Sequence, residues 1–368
     1  MPGSDRMRAK LDPREPDAVN PLASDLDHIL AHTVDVWDEL RGCRLFITGG
    51  TGFFGSWLLE SLLWANDRMR LGLRATVLTR DPARFTKKAP HLAMDQAVDL
   101  LAGDMGSFTF PDDRVDYVVH AATEPVGQPG TYDPVVKFDA DLQGTRRILA
   151  LARERGARRL LFTSSGAVYG QQPSGVARIP EEYVGAPDPA DPWTAYGQSK
   201  RVSEFLCSSA AAAGGLEIVI ARCFAFAGPY LPLDSNYAFG NFIRDALAGG
   251  PVVVASDGTA IRSYLYAADL AIWLWTLLLN GRSPRIYNVG SDVSVSIGSL
   301  ARAIARVVSP GAAVEVRGRL PTGDPARRYV PSIHRARSEL GLTPLVPLAQ
   351  AIERTAAWHR AGPTNGST

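Results

Sequence analysis

Residues 44–63, RLFITGGTGFFGSWLLESLL, decide the fold of this chain. They combine a short apolar run typical of a buried strand, a glycine-rich turn and an amphipathic helix. In such a unit, glycines permit a tight turn, a close approach of the backbone to a pyrophosphate, and close packing of the helix on the strand. The free N–H groups of the helix N-terminus favour the same phosphates. The stretch therefore predicts a dinucleotide-binding turn formed by Gly49, Gly52, Phe53, Phe54 and Gly55.

Beyond this unit, strand-like runs alternate with helical stretches. The β-rich segments are 44–48, 74–79, 98–102, 115–120, 158–163 and 216–221. The gaps between them are long enough for the crossover connections that parallel strands need. This alternation predicts an α/β fold with a Rossmann-type, doubly wound parallel sheet.

Three regions are expected along the chain. Residues 1–40 form an N-terminal extension with one amphipathic helix at 22–40, because apolar residues recur there at helical spacing. Residues 41–223 form the dinucleotide-binding domain and carry the catalytic residues. Residues 224–368, where a helix at 238–249 leads into the strand-like PVVVAS, form mainly a smaller substrate-binding lobe, and some of their segments return to the first domain.

The composition argues against several classes of protein. A net charge of +1 over 368 residues leaves no basic excess for nucleic acid or an anionic membrane. The three cysteines are too widely spaced for a zinc site or a disulfide framework. His28 and His32 share a helix face but lack further ligands, so no metal is expected. The most apolar run, 270–279, is too short to span a bilayer and predicts a buried helix. We therefore expect a soluble, cytoplasmic protein.

Two further segments carry candidate catalytic groups. In TAYGQSKRVSEFL (194–206), Tyr196 and Lys200 are four residues apart and share one face of a predicted helix. A tyrosine hydroxyl has a pKa of about 10, and a neighbouring ammonium favours its phenolate. In TSSGAVYG (163–170), a serine hydroxyl ends a strand at the carboxyl edge of the sheet, where ligands bind in α/β folds. It could orient a substrate oxygen by hydrogen bonding.

These motifs, taken in order, resemble one known family. The chain is similar to extended short-chain dehydrogenases/reductases of the nucleotide-sugar epimerase/dehydratase family over roughly residues 44–360. The resemblance implies NAD or NADP as the cofactor, a nucleotide-diphosphate sugar as the substrate, and a homodimer. It rests on TGGTGFFG (48–55), AGDM (102–105), HAAT (120–123), SSGAVYG (164–170), YGQSK (196–200), RSYLYAADLA (262–271) and YNVGS (287–291).

The resemblance also implies roles at the catalytic centre. Tyr196 is the acid–base residue, and Lys200 is its partner and a ligand of the nicotinamide ribose. Ser165 is the hydroxyl that binds the substrate oxygen, whereas Ser164 is structural. Arg262 grips the substrate diphosphate with its forked donors. Asn241 is either a substrate contact or a residue that only begins a helix.

For the cofactor, the resemblance implies that Asp104, beside Met105, contacts the adenine and that Ala121 and Ala122 line the dinucleotide. The end of the second strand distinguishes NAD from NADP, because an acid there holds the ribose 2′-hydroxyl and an arginine suits a 2′-phosphate. Thr79 stands near the acid position and Arg80 follows it. This arrangement favours NADP, although a shift of one residue at the strand end would reverse it.

The type of reaction is inferred from residues 166 and 167, neither of which has an acidic or basic side chain. Family members that eliminate water usually carry an Asp-Glu pair directly after the catalytic hydroxyl, and decarboxylating members keep a glutamate there. This chain has Gly166 and Ala167. The expected reaction is therefore hydride transfer at C4 of the sugar, giving a 4-epimerase or a 4-ketoreductase. A 4,6-dehydratase that uses Glu124 and a non-catalytic NADP sensor are the alternatives.

Two departures from the usual family pattern affect the expected substrate pose. The central helix has DLQGT, with Asp141 where members often have asparagine, and the segment ARCFAFAGP has Ala225 where members often have asparagine. The second asparagine commonly contacts substrate, so the sugar or its pose is expected to differ.

Overall fold

The computed structural model describes residues 20–123, 133–235, 237–318 and 327–362. Its strands, in chain order, are β1 (Arg44–Thr48), β2 (Arg74–Thr79), β3 (Val98–Ala102), β4 (Tyr117–His120), β5 (Arg159–Ser165), β6 (Glu217–Cys223), β7 (Phe226–Ala227), β8 (Val252–Val254), β9 (Ile261–Arg262), β10 (Leu265–Tyr266), β11 (Arg285–Val289), β12 (Val295–Ser296), β13 (Val314–Val316) and β14 (Arg328–Tyr329).

The helices cover the sheet and build the second lobe. They are α1 (Ala23–Ala31), α2 (Val34–Glu39), α3 (Phe53–Met69), α4 (Pro82–Lys88), α5 (Pro90–Ala93), α6 (Pro134–Glu154), α7 (Ala195–Ala212), α8 (Ala238–Leu247), α9 (Ala267–Asn280), α10 (Ile297–Val308), α11 (His334–Leu340) and α12 (Leu348–Ala361).

A parallel sheet forms the centre of the described chain, in the order β3–β2–β1–β4–β5–β6–β11. The chain runs outward from β1 to β3 and then returns to the other side of β1 with β4. The connection that leaves β1 leads to one side of the sheet, and the connection that leaves β4 leads to the other. A crevice opens between them at the carboxyl ends of β1 and β4. The predicted doubly wound parallel sheet is confirmed.

The C-terminal half contributes a strand and a helix to this core. β11 pairs in parallel with β6, and α9 packs on β5, β6 and α3. The predicted buried helix at 270–279 is confirmed, since residues 267–279 of α9 are all buried. In the described part of the chain, no helix is long and apolar enough to cross a membrane.

The N-terminal extension differs from the prediction. The single helix expected at 22–40 is two helices, α1 and α2, separated by His32 and Thr33. The Thr33 hydroxyl donates to the carbonyl of Ile29 at 2.6 Å and accepts from the Trp37 indole at 2.8 Å. These hydrogen bonds stabilise the turn between α1 and α2. Both helices pack on α9, and Trp37 is fully buried.

A second lobe forms from short strands and from α8 and α10, which pack on each other. β8 pairs with β13, β7 pairs with β10, and β9 lies between β12 and β14. The expected helix at 238–249 is α8, and the strand in PVVVAS is β8. Because β14 pairs with β9, Tyr329 and Arg262 become neighbours in this lobe.

Candidate active site

The glycine turn between β1 and α3 is tightly packed, and at Gly49 and Gly55 a side chain would collide with backbone atoms. Gly49 has a φ of +72°, and a Cβ there would lie 2.6 Å from the carbonyl carbon of Ala121. A Cβ on Gly55 would lie 2.2 Å from the Cα of Gly50. Close packing therefore requires both glycines, and it places the turn against Ala121 and Ala122, the residues expected to line the cofactor.

The N-terminus of α3 is suited to an anion. Gly52 is its N-cap, and no side chain of the described residues caps it. The first N–H groups of a helix lack intrahelical partners, so a diphosphate fits there. Phe53 and Phe54 begin the helix and contact Phe226, with ring centroids 6.5 and 5.0 Å away. This backbone cradle fits a dinucleotide such as NAD(P).

A buried polar network, which the sequence analysis missed, fixes the strand ends beside the turn. The Thr48 hydroxyl accepts from the N–H of Ala122 at 3.1 Å and lies 2.8 Å from Nδ1 of His120. Nε2 of His120 lies 3.3 Å from the Thr145 hydroxyl. Burial lowers the pKa of His120 to about 3, so its ring is neutral. One ring nitrogen thus links β4 to Thr48 of β1, and the other links it to Thr145 of α6.

The end of β2 carries the residues expected to distinguish the two cofactors. Thr79 is buried, whereas Arg80 is exposed. Asp81 is the N-cap of α4 and accepts from the N–H of Arg84 at 2.9 Å, so its carboxylate has a structural task. Lys88, which the sequence analysis did not single out, donates to the carbonyl of Thr51 in the glycine turn at 3.0 Å. The choice of NADP over NAD remains a prediction.

The segment after β3 forms a turn at the expected adenine position. The Asp104 carboxylate is exposed and accepts from the N–H of Gly106 at 2.8 Å. Met105 packs on Gly144 of α6, where a Cβ would lie 2.4 Å from its methyl carbon. The adenine contact of Asp104 and Met105 remains a prediction.

Tyr196 and Lys200 lie one turn apart on α7. The Lys200 ammonium is buried and donates to the carbonyl of Thr163 on β5 at 2.9 Å. Burial lowers the pKa of Lys200 to about 8. Burial also raises the pKa of Tyr196, while a hydrogen bond with Ser165 opposes that rise. The structure therefore brings together the three residues that the sequence predicted, Ser165, Tyr196 and Lys200.

The two serines at the end of β5 have separate surroundings. The Ser165 hydroxyl accepts from the N–H of Ala167 at 3.1 Å and lies 3.4 Å from the Tyr329 hydroxyl. The Ser164 hydroxyl donates to Glu204 at 2.5 Å, and Glu204 forms a buried ion pair with Arg222. Ser164 thus serves the packing of α7 on the sheet, in agreement with its expected structural role.

A buried ion pair lies beside Tyr196. Lys137 and Asp141 of α6 are 3.1 Å apart, and their side chains are only 2% and 4% exposed. Asp141 also accepts from the Ser199 hydroxyl of α7 at 2.7 Å. The Lys137 ammonium lies 5.1 Å from the centroid of the Tyr196 ring. The sequence showed only that Asp141 departs from the family pattern, and the role of Lys137 was missed.

Gly166 faces a tyrosine that the sequence analysis also missed. A Cβ on Gly166 would lie 2.8 Å from the Tyr329 hydroxyl and 2.8 Å from the ring of Phe224. The Phe224 and Tyr329 rings pack together, with centroids 4.6 Å apart. The space beside Ser165 is therefore closed to a side chain on residue 166 and taken by two aromatic residues.

The predicted substrate contacts lie in the second lobe. The Arg262 guanidinium lies 5.9 Å from the Tyr329 ring centroid, which brings it towards Ser165, and it donates to the carbonyl of Arg327 at 3.2 Å. Asn241 is in the first turn of α8 and accepts from Arg244 at 3.4 Å. The substrate roles of Arg262 and Asn241 remain predictions.

Two further expectations concern Glu124 and a metal. Glu124 lies outside the described residues. The ring of His28 lies beside that of His32 in a tilted arrangement, with centroids 4.4 Å apart, and Nε2 of His28 lies 3.4 Å from Asp269. Over the described ranges, no group of three or more His, Cys, Asp or Glu side chains could hold a metal ion.

Comparisons with known proteins give matches over most of the chain. A model of the NAD dependent epimerase/dehydratase family matches residues 45–290. A UDP-glucuronic acid decarboxylase 1 of Xenopus tropicalis is 31% identical over 318 residues, which cover 86% of this chain and 72% of the relative.

Solved structures share the fold. A UDP-glucose 4-epimerase of Thermus thermophilus, in complex with NAD, is 27% identical with a TM-score of 0.70, covering 87% of this chain and 99% of that one. An epimerase of Methanothermobacter thermautotrophicus is 22% identical with a TM-score of 0.73, covering 93% and 97% of the two chains, and this likeness concerns the fold alone.

Proposed function

Since the chain belongs to the NAD dependent epimerase/dehydratase family and is thereby an NAD(P)-dependent enzyme, we propose that it moves a hydride at C4 of a nucleotide-diphosphate hexose. The outcome is 4-epimerisation or reduction of a 4-ketone. One observation carries this proposal. Ser165, Tyr196 and Lys200 meet at the carboxyl edge of the sheet, while residue 166 has no side chain and no space for one.

The residues of the chain divide the proton chemistry among them. When bound, NAD(P) supplies the hydride acceptor or donor and, in its oxidised form, a positive charge that favours the Tyr196 phenolate. In the reductive direction, protonated Tyr196 donates its proton to the C4 oxygen. In the oxidative direction, the Tyr196 phenolate accepts the proton of the C4 hydroxyl. Ser165 hydrogen-bonds the same oxygen and orients it.

Lys200 adjusts the protonation of Tyr196. Desolvation by itself holds Tyr196 in its neutral form, which suits proton donation. An ammonium on the same helix face favours the phenolate that the oxidative direction needs. A C4 epimerase uses both directions in turn, so the pair serves either proposed outcome.

The nucleotide-diphosphate part of the substrate is proposed from charge and from the relatives. The family and the UDP-sugar enzymes among the matched proteins support it. In the second lobe, the Arg262 guanidinium lies beside the ring of Tyr329, whose hydroxyl is close to Ser165. Its forked N–H donors suit a diphosphate. Formation of a homodimer is part of the same proposal and rests on the family resemblance.

Decarboxylation of a hexuronic acid nucleotide is the second candidate. The matched decarboxylases favour it, at 30–31% identity for a frog and an Arabidopsis protein. The lack of a carboxylate at residue 166 opposes it, because decarboxylating members usually keep a glutamate there. A 4,6-dehydratase would need Glu124 as its acid or base, and a non-catalytic NADP sensor would not need the Tyr196–Lys200 pair.

A substrate panel tests these functions. The purified protein is incubated with NAD or NADP and, separately, with UDP-glucose, UDP-galactose, UDP-glucuronate, dTDP-glucose and a 4-keto-hexose nucleotide with NADPH, and products are assigned by NMR. An inverted or newly formed C4 carbinol supports the proposal. Release of CO₂ from UDP-glucuronate or loss of water from dTDP-glucose would overturn it. Native mass spectrometry of the same sample identifies retained NAD or NADP and the subunit number.

A further inference from the structure

The Asp141 carboxylate lies in the interior between α6 and α7 and has partners on both helices. It accepts from the Ser199 hydroxyl of α7 at 2.7 Å and from the Lys137 ammonium of α6 at 3.1 Å. The Thr123 hydroxyl donates to Asp141 at 3.1 Å and accepts from Lys137 at 3.1 Å. These hydrogen bonds hold Lys137 and Asp141 against the helix that carries Tyr196 and Lys200.

Three charged side chains are therefore buried close together. Those of Lys137 and Asp141 are 2% and 4% exposed, and Lys200 is 3% exposed. Two ammonium groups and one carboxylate sum to one positive charge. Because Lys137 and Asp141 cancel each other, the charge of Lys200 remains as the excess beside Tyr196.

In the described residues, the neighbouring titratable groups are neutral or already paired. Burial lowers the pKa of His120 on β4 to about 3 and raises the pKa of Cys223 on β6 to about 12. Burial also raises the pKa of Cys207 on α7. Glu204 of α7 pairs with Arg222 of β6 at 2.6 Å. These groups leave Lys137 as the cation that offsets Asp141.

Asp141 and Lys137 act on Lys200 in opposite directions. Burial lowers the pKa of Lys200 to about 8, while Asp141 raises that pKa and Lys137 lowers it, with Asp141 the stronger of the two. The Lys137 ammonium also lies 5.1 Å from the centroid of the Tyr196 ring, where a positive charge favours the phenolate. Without Lys137, the Asp141 carboxylate would offset the charge of Lys200 instead.

We propose that Lys137 is a positioning residue for proton transfer by Tyr196: by pairing with Asp141, its ammonium keeps that carboxylate from neutralising Lys200. This inference rests on the proposed function, in which the charge of Lys200 favours the Tyr196 phenolate. Lys137 acts through Asp141 and Lys200, so the inference requires no contact between Lys137 and the substrate.

Two single variants separate this effect of charge from an effect of packing. Lys137→Met and Asp141→Asn break the same buried pair, so both should lower the melting temperature. Their effects on Lys200 should have opposite signs, because one leaves a carboxylate beside it and the other an ammonium. The pKa of Lys200 should be highest in Lys137→Met, followed by the wild type, the double variant and Asp141→Asn.

NMR of protein labelled with ¹³C at lysine Cε measures this order without turnover. The chain has five lysines, at positions 10, 87, 88, 137 and 200, so few signals are expected. The Lys200 signal is assigned by its loss in Lys200→Met. Arg354→Met is the matched control, since it removes the counter-ion of the buried Asp25 between α12 and α1. It should lower the melting temperature and leave the Lys200 titration unchanged.

The pH profile of kcat/KM for oxidation at C4 gives the second readout. Deprotonation of Tyr196 sets its acid limb, and deprotonation of Lys200 sets its alkaline limb. Both limbs should move to higher pH in Lys137→Met and to lower pH in Asp141→Asn. At neutral pH, Lys137→Met should lose about 10- to 100-fold in kcat/KM, and adding Asp141→Asn should restore most of it.

The outcomes separate this inference from the proposed function. If the wild type reacts at C4 and the two single variants shift the limbs in the same direction or not at all, the inference is overturned and the function stands. If the wild type does not react at C4, the proposed function fails. The stated order of Lys200 pKa values then supports the inference, and an unchanged Lys200 pKa in Lys137→Met overturns it.

Discussion

Lys137 and Asp141 form an ion pair in the interior of the protein, one turn apart on α6 and 3.1 Å from each other. Removing one member of a buried pair leaves a charge without its counter-ion, which costs about 3–5 kcal/mol of stability. Lys137→Met and Asp141→Asn should therefore each lower the free energy of unfolding by about this amount. The double variant should recover most of the loss, because it is neutral at both positions. Urea unfolding measures all three, and equal additive losses in the double variant would contradict the argument.

The same pair affects Tyr196, since the Lys137 ammonium lies 5.1 Å from its ring centroid. A second readout is therefore the pH profile of kcat/KM. Asp141 raises the pKa of Lys200 and Lys137 lowers it, and the influence of Asp141 is the larger. The double variant should therefore move the alkaline limb to lower pH, whereas a pair that only stabilises α6 would leave it unchanged.

Tyr196→Phe removes the proposed acid–base hydroxyl without changing the size of the ring. Turnover at C4 should fall by about 10²- to 10⁴-fold, the usual range for loss of a general acid–base group. Affinity for NAD(P), measured by calorimetry, should stay close to that of the wild type. Near-normal turnover would rule out the assignment.

We expect the deprotonation of Lys200 to cause a fall of kcat/KM at alkaline pH. Its pKa is lowered to about 8 by burial, so the free enzyme loses the ammonium as the pH rises through about 8. The value of kcat/KM should fall above that pH. Lys200→Arg keeps a charged side chain over this range and should remove the limb from the profile while lowering the rate. A wild-type profile that stays flat to pH 10 would exclude this role for Lys200.

The same shift also affects stability. The unfolded chain has a lysine pKa near 10.5, and the folded value is lower, so the unfolded state binds more protons between pH 8 and 10.5. The contribution of Lys200 to the free energy of unfolding therefore rises with pH through this window. Below pH 8 both states are protonated and the desolvation cost is fully present. Lys200→Met should reduce this slope in urea unfolding experiments.

Three of the four glycines in the turn, Gly49, Gly52 and Gly55, should respond differently to alanine. Gly49→Ala and Gly55→Ala force a Cβ to within 2.6 and 2.2 Å of backbone atoms and should destabilise the fold. Gly52→Ala meets only the carbonyl oxygen of Gly49, at 3.4 Å, so it should fold normally. Because Gly52 caps the open N-terminus of α3, its variant should still weaken NAD(P) binding. Melting temperatures with and without cofactor separate the two effects, and normal cofactor affinity in Gly52→Ala would contradict the cradle.

Several parts of the fold were predictable because their signals are local. The glycine turn, the strand runs and the buried helix at 270–279 follow from patterns within about 20 residues, and each appears at the expected place. The N-terminal helix was predicted as one element because its apolar spacing is continuous. The break at Thr33 depends on a side-chain bond with Trp37, which periodicity does not show.

The candidate site was predictable only in part. Tyr196 and Lys200 share a helix face by spacing, and their partner Ser165 follows a recognisable strand. Lys137 and Tyr329 have no local signature, since one is an ordinary helix lysine and the other lies in a short strand of the second lobe. Their roles depend on distances to residues far away in the chain.

The sequence by itself determined the doubly wound sheet and the glycine turn after β1, because both follow from short-range patterns. It also predicted the Ser165–Tyr196–Lys200 set, whose catalytic role stays a prediction. Only the tertiary structure decided what fills the space at Gly166 and what neutralises Asp141. The hydroxyl of Tyr329, which is 164 residues from Ser165 in the sequence, lies next to Gly166. The buried ammonium of Lys137 pairs with the carboxylate of Asp141. Both are packing outcomes, and packing depends on which surfaces meet after the chain has folded.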